Sequence, residues 1–135
     1  MRILQKSLIL TALSLLLYSC VVDDCCYAPP IVDVYSYFGG QGTNFNRGAV
    51  EIVVNPDGYW SPNQFYDIEL IGFGVYALNS GPNQRVAFTF LAPGSYRLLL
   101  WVYCYDPYSP NCFQDRYDVR VFVDPQRTTR VDFRP

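Results

Sequence analysis

The chain has 135 residues, 10 Lys and Arg against 12 Asp and Glu, no histidine, and a formal charge of −2 at pH 7. That length holds one module with its own core and not two comfortable ones. The missing histidine removes the commonest acid–base group, the serine and cysteine triads that use it, and imidazole metal sites.

Residues 1–20 open with Arg2 and Lys6, continue through an almost unbroken apolar run from Leu8 to Leu17, and close on Ser19-Cys20. Charged start, apolar centre and a small residue at the end are the three parts of an export signal. The apolar run falls short of the roughly 20 residues that span a bilayer. An uncleaved anchor and an ordinary secretory signal are the plainer readings. Leu17-Tyr18-Ser19-Cys20 resembles the lipobox of bacterial lipoprotein precursors. That resemblance implies cleavage before Cys20, acylation of its sulfur by a palmitate-type chain, and acylation of the new amino terminus. Val21 stands where inner-membrane retention uses Asp, so the resemblance points to the outer membrane. The expected organisation is a helical signal peptide over 1–19, a lipidated tether over 20–30 and a folded domain over 31–135. With Arg2 and Lys6 removed, the 12 carboxylates outnumber the remaining arginines, and the lack of a basic cluster argues against nucleic acid and anionic headgroups.

Within the tether, Pro29-Pro30 favours an extended backbone. Residues 31–38 alternate Ile31, Asp33, Tyr35 and Tyr37 against Val32, Val34, Ser36 and Phe38, which predicts the first strand. The glycine-rich stretch 39–44 that ends it lacks the lysine and following helix of a phosphate cradle. Residues 49–55 form the second strand, with Val50, Ile52 and Val54 on one face and Glu51 on the other. Asn55-Pro56-Asp57-Gly58 is a turn. Residues 65–71 put Tyr66, Ile68 and Leu70 inward and Asp67 and Glu69 outward, while 75–78 is a short edge strand or an irregular crossing. Residues 85–91 align Val86, Phe88 and Phe90 on one face. Residues 95–104 put Tyr96, Leu98, Leu100 and Val102 in the core, leaving Arg97, Leu99, Trp101 and Tyr103 outside. Residues 116–124 set Tyr117, Val119, Val121 and Val123 against Arg116, Asp118, Arg120 and Phe122. The last strand, 128–133, points Val131 and Phe133 inward and leaves Arg130, Asp132 and Arg134 wet.

Short strands at regular spacing, punctuated by 9 Gly and 10 Pro, predict an all-β fold, a single antiparallel sandwich of about seven strands. The run Pro93-Gly94-Ser95-Tyr96-Arg97-Leu98, the strand from Tyr117 to Val123 and the ending Thr129-Arg130-Val131-Asp132-Phe133 together resemble the C-terminal half of PEGA and related transthyretin-like or Cna-B-like modules. This likeness covers residues 85–134. It implies a Greek-key fold used mostly as a spacer, an anchor, or a protein- or glycan-binding module.

Five cysteines are present. With Cys20 taken by lipid, an exported chain can oxidise the others. Cys104 and Cys112 flank one loop and form the first candidate disulfide; the rival pairing joins Cys25 and Cys26 to them. A four-thiolate zinc site fits these spacings badly, and no metal or other cofactor is expected. Two aromatic groups are candidate binding residues. One is Leu99, Trp101 and Phe122, an apolar stripe on an outward face, with Arg97 and Arg120 lying across the rings as the alternative. The other is Tyr103, Tyr105 and Tyr108 with Tyr59 and Trp60, which either form a platform or pack locally over loop backbone. Asp106, Asp115 and Asp118, near one end of the hairpin, read as solvated surface before calcium ligands or a glycosidase pair. The expectation is a non-catalytic envelope lipoprotein that docks another envelope protein or a glycan. The alternative is a small carboxylate-dependent cell-wall hydrolase.

Overall fold

A computed structural model of the protein describes residues 30–58, 64–104 and 115–135, so the predicted signal-peptide helix and most of the tether lie outside the described residues. Eight strands follow in order: β1 (Ile31–Phe38), β2 (Gly48–Val54), β3 (Gln64–Leu70), β4 (Gly74–Leu78), β5 (Gln84–Leu91), β6 (Gly94–Cys104), β7 (Asp115–Val123) and β8 (Arg127–Arg134). The short segment at 74–78 is therefore a true edge strand, which raises the count from about seven to eight.

The strands form two four-stranded sheets, β1-β8-β2-β5 and β4-β3-β6-β7. All pairs are antiparallel except β2 with β8. That pair is parallel because the β7–β8 turn returns the chain at the end where β2 also starts, and β8 slots between β1 and β2.

Period-two alternation holds the sheets together. Val50, Ile52 and Val54 of β2, Tyr66, Ile68 and Leu70 of β3, Leu98 and Leu100 of β6, Val121 of β7, and Val131 and Phe133 of β8 are all fully buried in one cluster. Each such side chain contributes about 1.5–3 kcal/mol by leaving water. Ring contacts join the layers at both sides, Tyr76 on Phe88 at 5.3 Å and Tyr117 on Phe133 at 5.3 Å. The polar end of Tyr66 in this core is satisfied: its hydroxyl donates to Gln64 and accepts from Asn55 Nδ2, both at 3.1 Å. Burial raises the Tyr66 phenol above its ordinary pKa, because the phenolate loses its water there. Asn55 also donates to the Gly81 carbonyl at 3.0 Å, so it ties the end of β2 to the β4–β5 loop. The predicted turn at 55–58 forms, with Gly58 at φ 81° and its N–H donating to the Asn55 carbonyl.

Two alternations break. Gly48 pairs with Leu91 and Val50 with Phe88, so Thr89 and Phe90 together oppose Ala49 in a bulge. Phe90 adopts φ 56° and is 63% exposed, while Leu91 takes the inward place. In β8, Asp132 is buried rather than wet, because the strand is central and Asp132 lies between Asp33 and Val53. Its carboxylate accepts from Arg130 Nε at 2.7 Å.

The turns define two poles. One carries Pro30, the Asn55 turn, the β4–β5 loop, the ends of β6 and β8 and the start of β7. The other carries the β1–β2, β3–β4, β5–β6 and β7–β8 connections. Gly48 packs at this second pole, where a Cβ would meet the Asp124 and Arg127 carbonyl oxygens at 2.3 and 2.9 Å.

Candidate binding face on the second sheet

The residues with binding potential lie on the outward face of β3, β6 and β7. Register places Phe65 opposite Tyr103, and Trp101 between Asp67 and Arg116. Because Trp101 and Tyr103 are two apart on one strand, they point the same way. Their rings stand nearly parallel, 7° apart with centroids at 6.5 Å. The Arg116 guanidinium lies 5.2 Å from the Trp101 ring centroid, close enough for cation–π attraction. Phe65 is part-exposed beside them. The Tyr103 phenol is raised above its ordinary pKa, first by burial and then by the Asp67 charge and hydrogen bond, so it is a neutral hydroxyl at physiological pH. The result is a strip of ring faces and edges with one hydroxyl, one carboxylate and one guanidinium along it. Such a strip offers C–H and apolar groups a dry contact and offers hydroxyl or amide groups a polar edge.

The predicted members separate. Trp101 and Tyr103 come together. Leu99 does not join an exposed stripe: it is only 7% exposed, directly opposite Asp118 and two residues from Arg97, and those two side chains form an ion pair. Phe122 faces outward at 63% exposure, but it pairs with Ser95 while Arg116 pairs with Trp101. Six residues of strand, about 20 Å, therefore divide Phe122 from Trp101. Arginine does lie across the tryptophan, and it is Arg116 rather than Arg97 or Arg120.

Tyr59, Trp60, Tyr105 and Tyr108 lie outside the described residues, as do Cys20, Cys25, Cys26, Cys112 and Asp106. Cys104 closes β6, and its side chain is outside the described part. Segments 59–63 and 105–114 nevertheless attach at Gln64 and Cys104, a directly paired couple, so both leave from the end of the sheet that bears Trp101 and Tyr103.

The remaining acids have partners. Asp118 binds Arg97, and that hydrogen bond holds its carboxyl below the ordinary value of 3.8. Asp115 accepts from the Tyr117 hydroxyl at 2.7 Å and the Arg116 amide at 2.9 Å. A lowered carboxyl pKa is the reverse of what a glycosidase general acid needs. Among the described residues no three His, Cys, Asp or Glu side chains gather to hold a metal ion.

Sequence reasoning missed Phe65, although its place opposite Tyr103 follows once β3 and β6 are paired. It also missed the network on the other outward face. There Glu51 accepts from Tyr37 at 3.3 Å and Arg85 at 3.5 Å and lies 3.9 Å from Arg130, which stands 5.8 Å from the Tyr35 ring centroid. Comparison with known proteins gives no assignment: no family model, curated protein or solved structure matches the chain.

Proposed function

We propose that the protein is a non-catalytic lipoprotein of the bacterial envelope, anchored through acylated Cys20, most simply in the outer membrane. Its sandwich docks a neighbouring envelope protein or glycan through Trp101, Tyr103 and Phe65. The support for the anchor is the sequence of residues 1–20. Two or more acyl chains make such attachment lasting, each buried CH₂ contributing about 0.8 kcal/mol. The observation that carries the docking reading is the placement of the aromatic strip. It stands at the pole where Pro30 leads into β1, the end of the domain that the tether joins.

Cys104 ends β6 at that same pole. A disulfide from Cys104 to Cys112 would close the 105–111 loop, and one to Cys25 or Cys26 would staple the tether to the same hairpin. The first bond contributes about 2–3 kcal/mol by restricting the unfolded chain, and the second, closing a far longer loop, about 4–5 kcal/mol.

Growth on radioactive palmitate tests the anchor: wild type takes up label and Cys20→Ser does not. Equal labelling of both, or of neither, refutes the anchor. In cross-linked cells, Trp101→Ala should remove the partner adduct while the protein stays folded and labelled. An adduct unchanged by that substitution refutes the docking face.

A further inference from the structure

The pole opposite Pro30 collects apolar side chains that are scattered in sequence. Phe38 ends β1, Phe45 lies in the β1–β2 loop, Ile71 and Phe73 form the β3–β4 turn, Phe90 is the bulge residue of β5, and Phe122 is near the end of β7. Their exposures are 73% for Phe38, 84% for Phe45, 63% for Phe90 and Phe122, 53% for Phe73 and 42% for Ile71. The backbone fixes them as one tip: Gly39 and Asn44 bond to Gln126 in the β7–β8 turn, Phe90 bonds to Gly42, and Ile71 bonds to Arg97. The bulge is what turns Phe90 out, since continued alternation would have buried it. We infer that this tip is a membrane-contacting surface which inserts its phenylalanine rings into an anionic bilayer.

Three observations favour a bilayer as the occupant. The rings project from separate turns, and Phe45 keeps more than four-fifths of its surface free. A projecting ring finds few matching atoms on a rigid protein, whereas an acyl boundary surrounds it from any direction. The charge is right as well. Arg47 and Arg120 are exposed around the tip and Arg127 is part-exposed, against the carboxylates of Asp124 in the β7–β8 turn and Glu69 next to the end of β3. The chain as a whole is acidic, yet Arg47, Arg120 and Arg127 stand where lipid phosphate would meet them. Folding assembles this basic rim from residues far apart in the chain.

Length is the third observation, and it rests on the Cys20 anchor proposed above. Residues 21–30 reach at most about 35 Å when extended, while an eight-residue strand such as β1 spans about 26 Å. The tether is thus long enough for the domain to lie over and set its far pole on the same membrane.

Photo-crosslinking tests this with the complete lipidated protein in vesicles of phosphatidylglycerol and phosphatidylethanolamine carrying tritiated acyl chains. Benzoylphenylalanine at position 45 or 90 should transfer label to the protein several-fold more than at position 35, on the outward face of the first sheet. High salt or replacement of phosphatidylglycerol by phosphatidylcholine should reduce the transfer. Transfer at 45 no greater than at 35 overturns the proposal, whether the tip is free or covered by another protein. The variant Phe45→Ser/Phe90→Ser, checked for folding by its melting curve, should lower lipid labelling from benzoylphenylalanine at position 122; unchanged labelling also overturns it. Failure of the anchor reads out separately, as missing palmitate on Cys20.

Discussion

The two outward faces of the sandwich use the same ingredients, arginine, carboxylate and aromatic ring, to different ends. On the first sheet Arg130 binds Asp132, reaches Glu51 and stands over Tyr35, while Glu51 also takes Tyr37 and Arg85. The charges answer one another, and Val53 and Ala49 are buried on that outward face beside them. On the second sheet Trp101, Tyr103 and Phe65 stand in a row with Arg116 over one ring and Asp67 at one hydroxyl. The first face joins its polar groups into one network across four strands, and the second sets three rings in a row with one guanidinium and one carboxylate beside them. Substitutions on the first should therefore be read in stability and on the second in binding.

The largest stability effect is expected from Asp132→Ala. It leaves the part-buried Arg130 without its nearest anion, whose hydrogen bond raises the guanidinium pKa above its ordinary value. A loss of about 2–3 kcal/mol should appear in urea unfolding. A loss under half of that would mean the first face is not the closed network described. Glu51→Ala should cost about 1 kcal/mol in the same measurement, since each of its partners can turn to water or, for Arg130, keep Asp132.

These two sites also show where sequence pattern ends. Alternation places seven strands to within a residue or two, leaves 75–78 open between an edge strand and an irregular crossing, and sorts the faces of β3 and β7, because Tyr66, Ile68 and Leu70 can face only the core and Asp118 and Arg120 only water. It read Asp132 as wet, since a strand's own sequence does not say whether it is central or at an edge. Burial of Asp132 follows from β8 lying between β1 and β2, a long-range pairing. Alternation sets Phe90 on the face of Val86 and Phe88, and its departure from that face is long-range as well: the bulge depends on Gly42 accepting its N–H from another loop. The strip itself was half legible. Trp101 and Tyr103 share a face by spacing alone, but Phe65 joins them only through the β3–β6 register.

On the second face, Trp101→Ala should cost about 1 kcal/mol through its lost contacts with Tyr103 and Arg116, leaving the fold intact while abolishing partner cross-links. The smallest effect is expected from acid. Asp57 and Asp118 each have a carboxyl pKa lowered by a hydrogen bond from an arginine, Arg134 and Arg97 respectively. A lowered folded pKa means that their contribution is complete above the unperturbed value of 3.8 and is lost as pH falls below it. Both pairs are exposed, so melting curves at pH 7 and pH 5 should coincide and only a slight decline should follow below pH 4. A decline that sets in between pH 7 and pH 5 would show that other groups govern stability.

Hydroxyl-radical footprinting, comparing intact cells with the purified protein, sets the two faces side by side in one measurement. The account predicts that Trp101 and Tyr103 are modified several-fold less in cells, while Tyr35 and Tyr37 react equally in both. Equal reactivity of Trp101 and Tyr103 in cells and in isolation, or protection confined to Tyr35 and Tyr37, would contradict it.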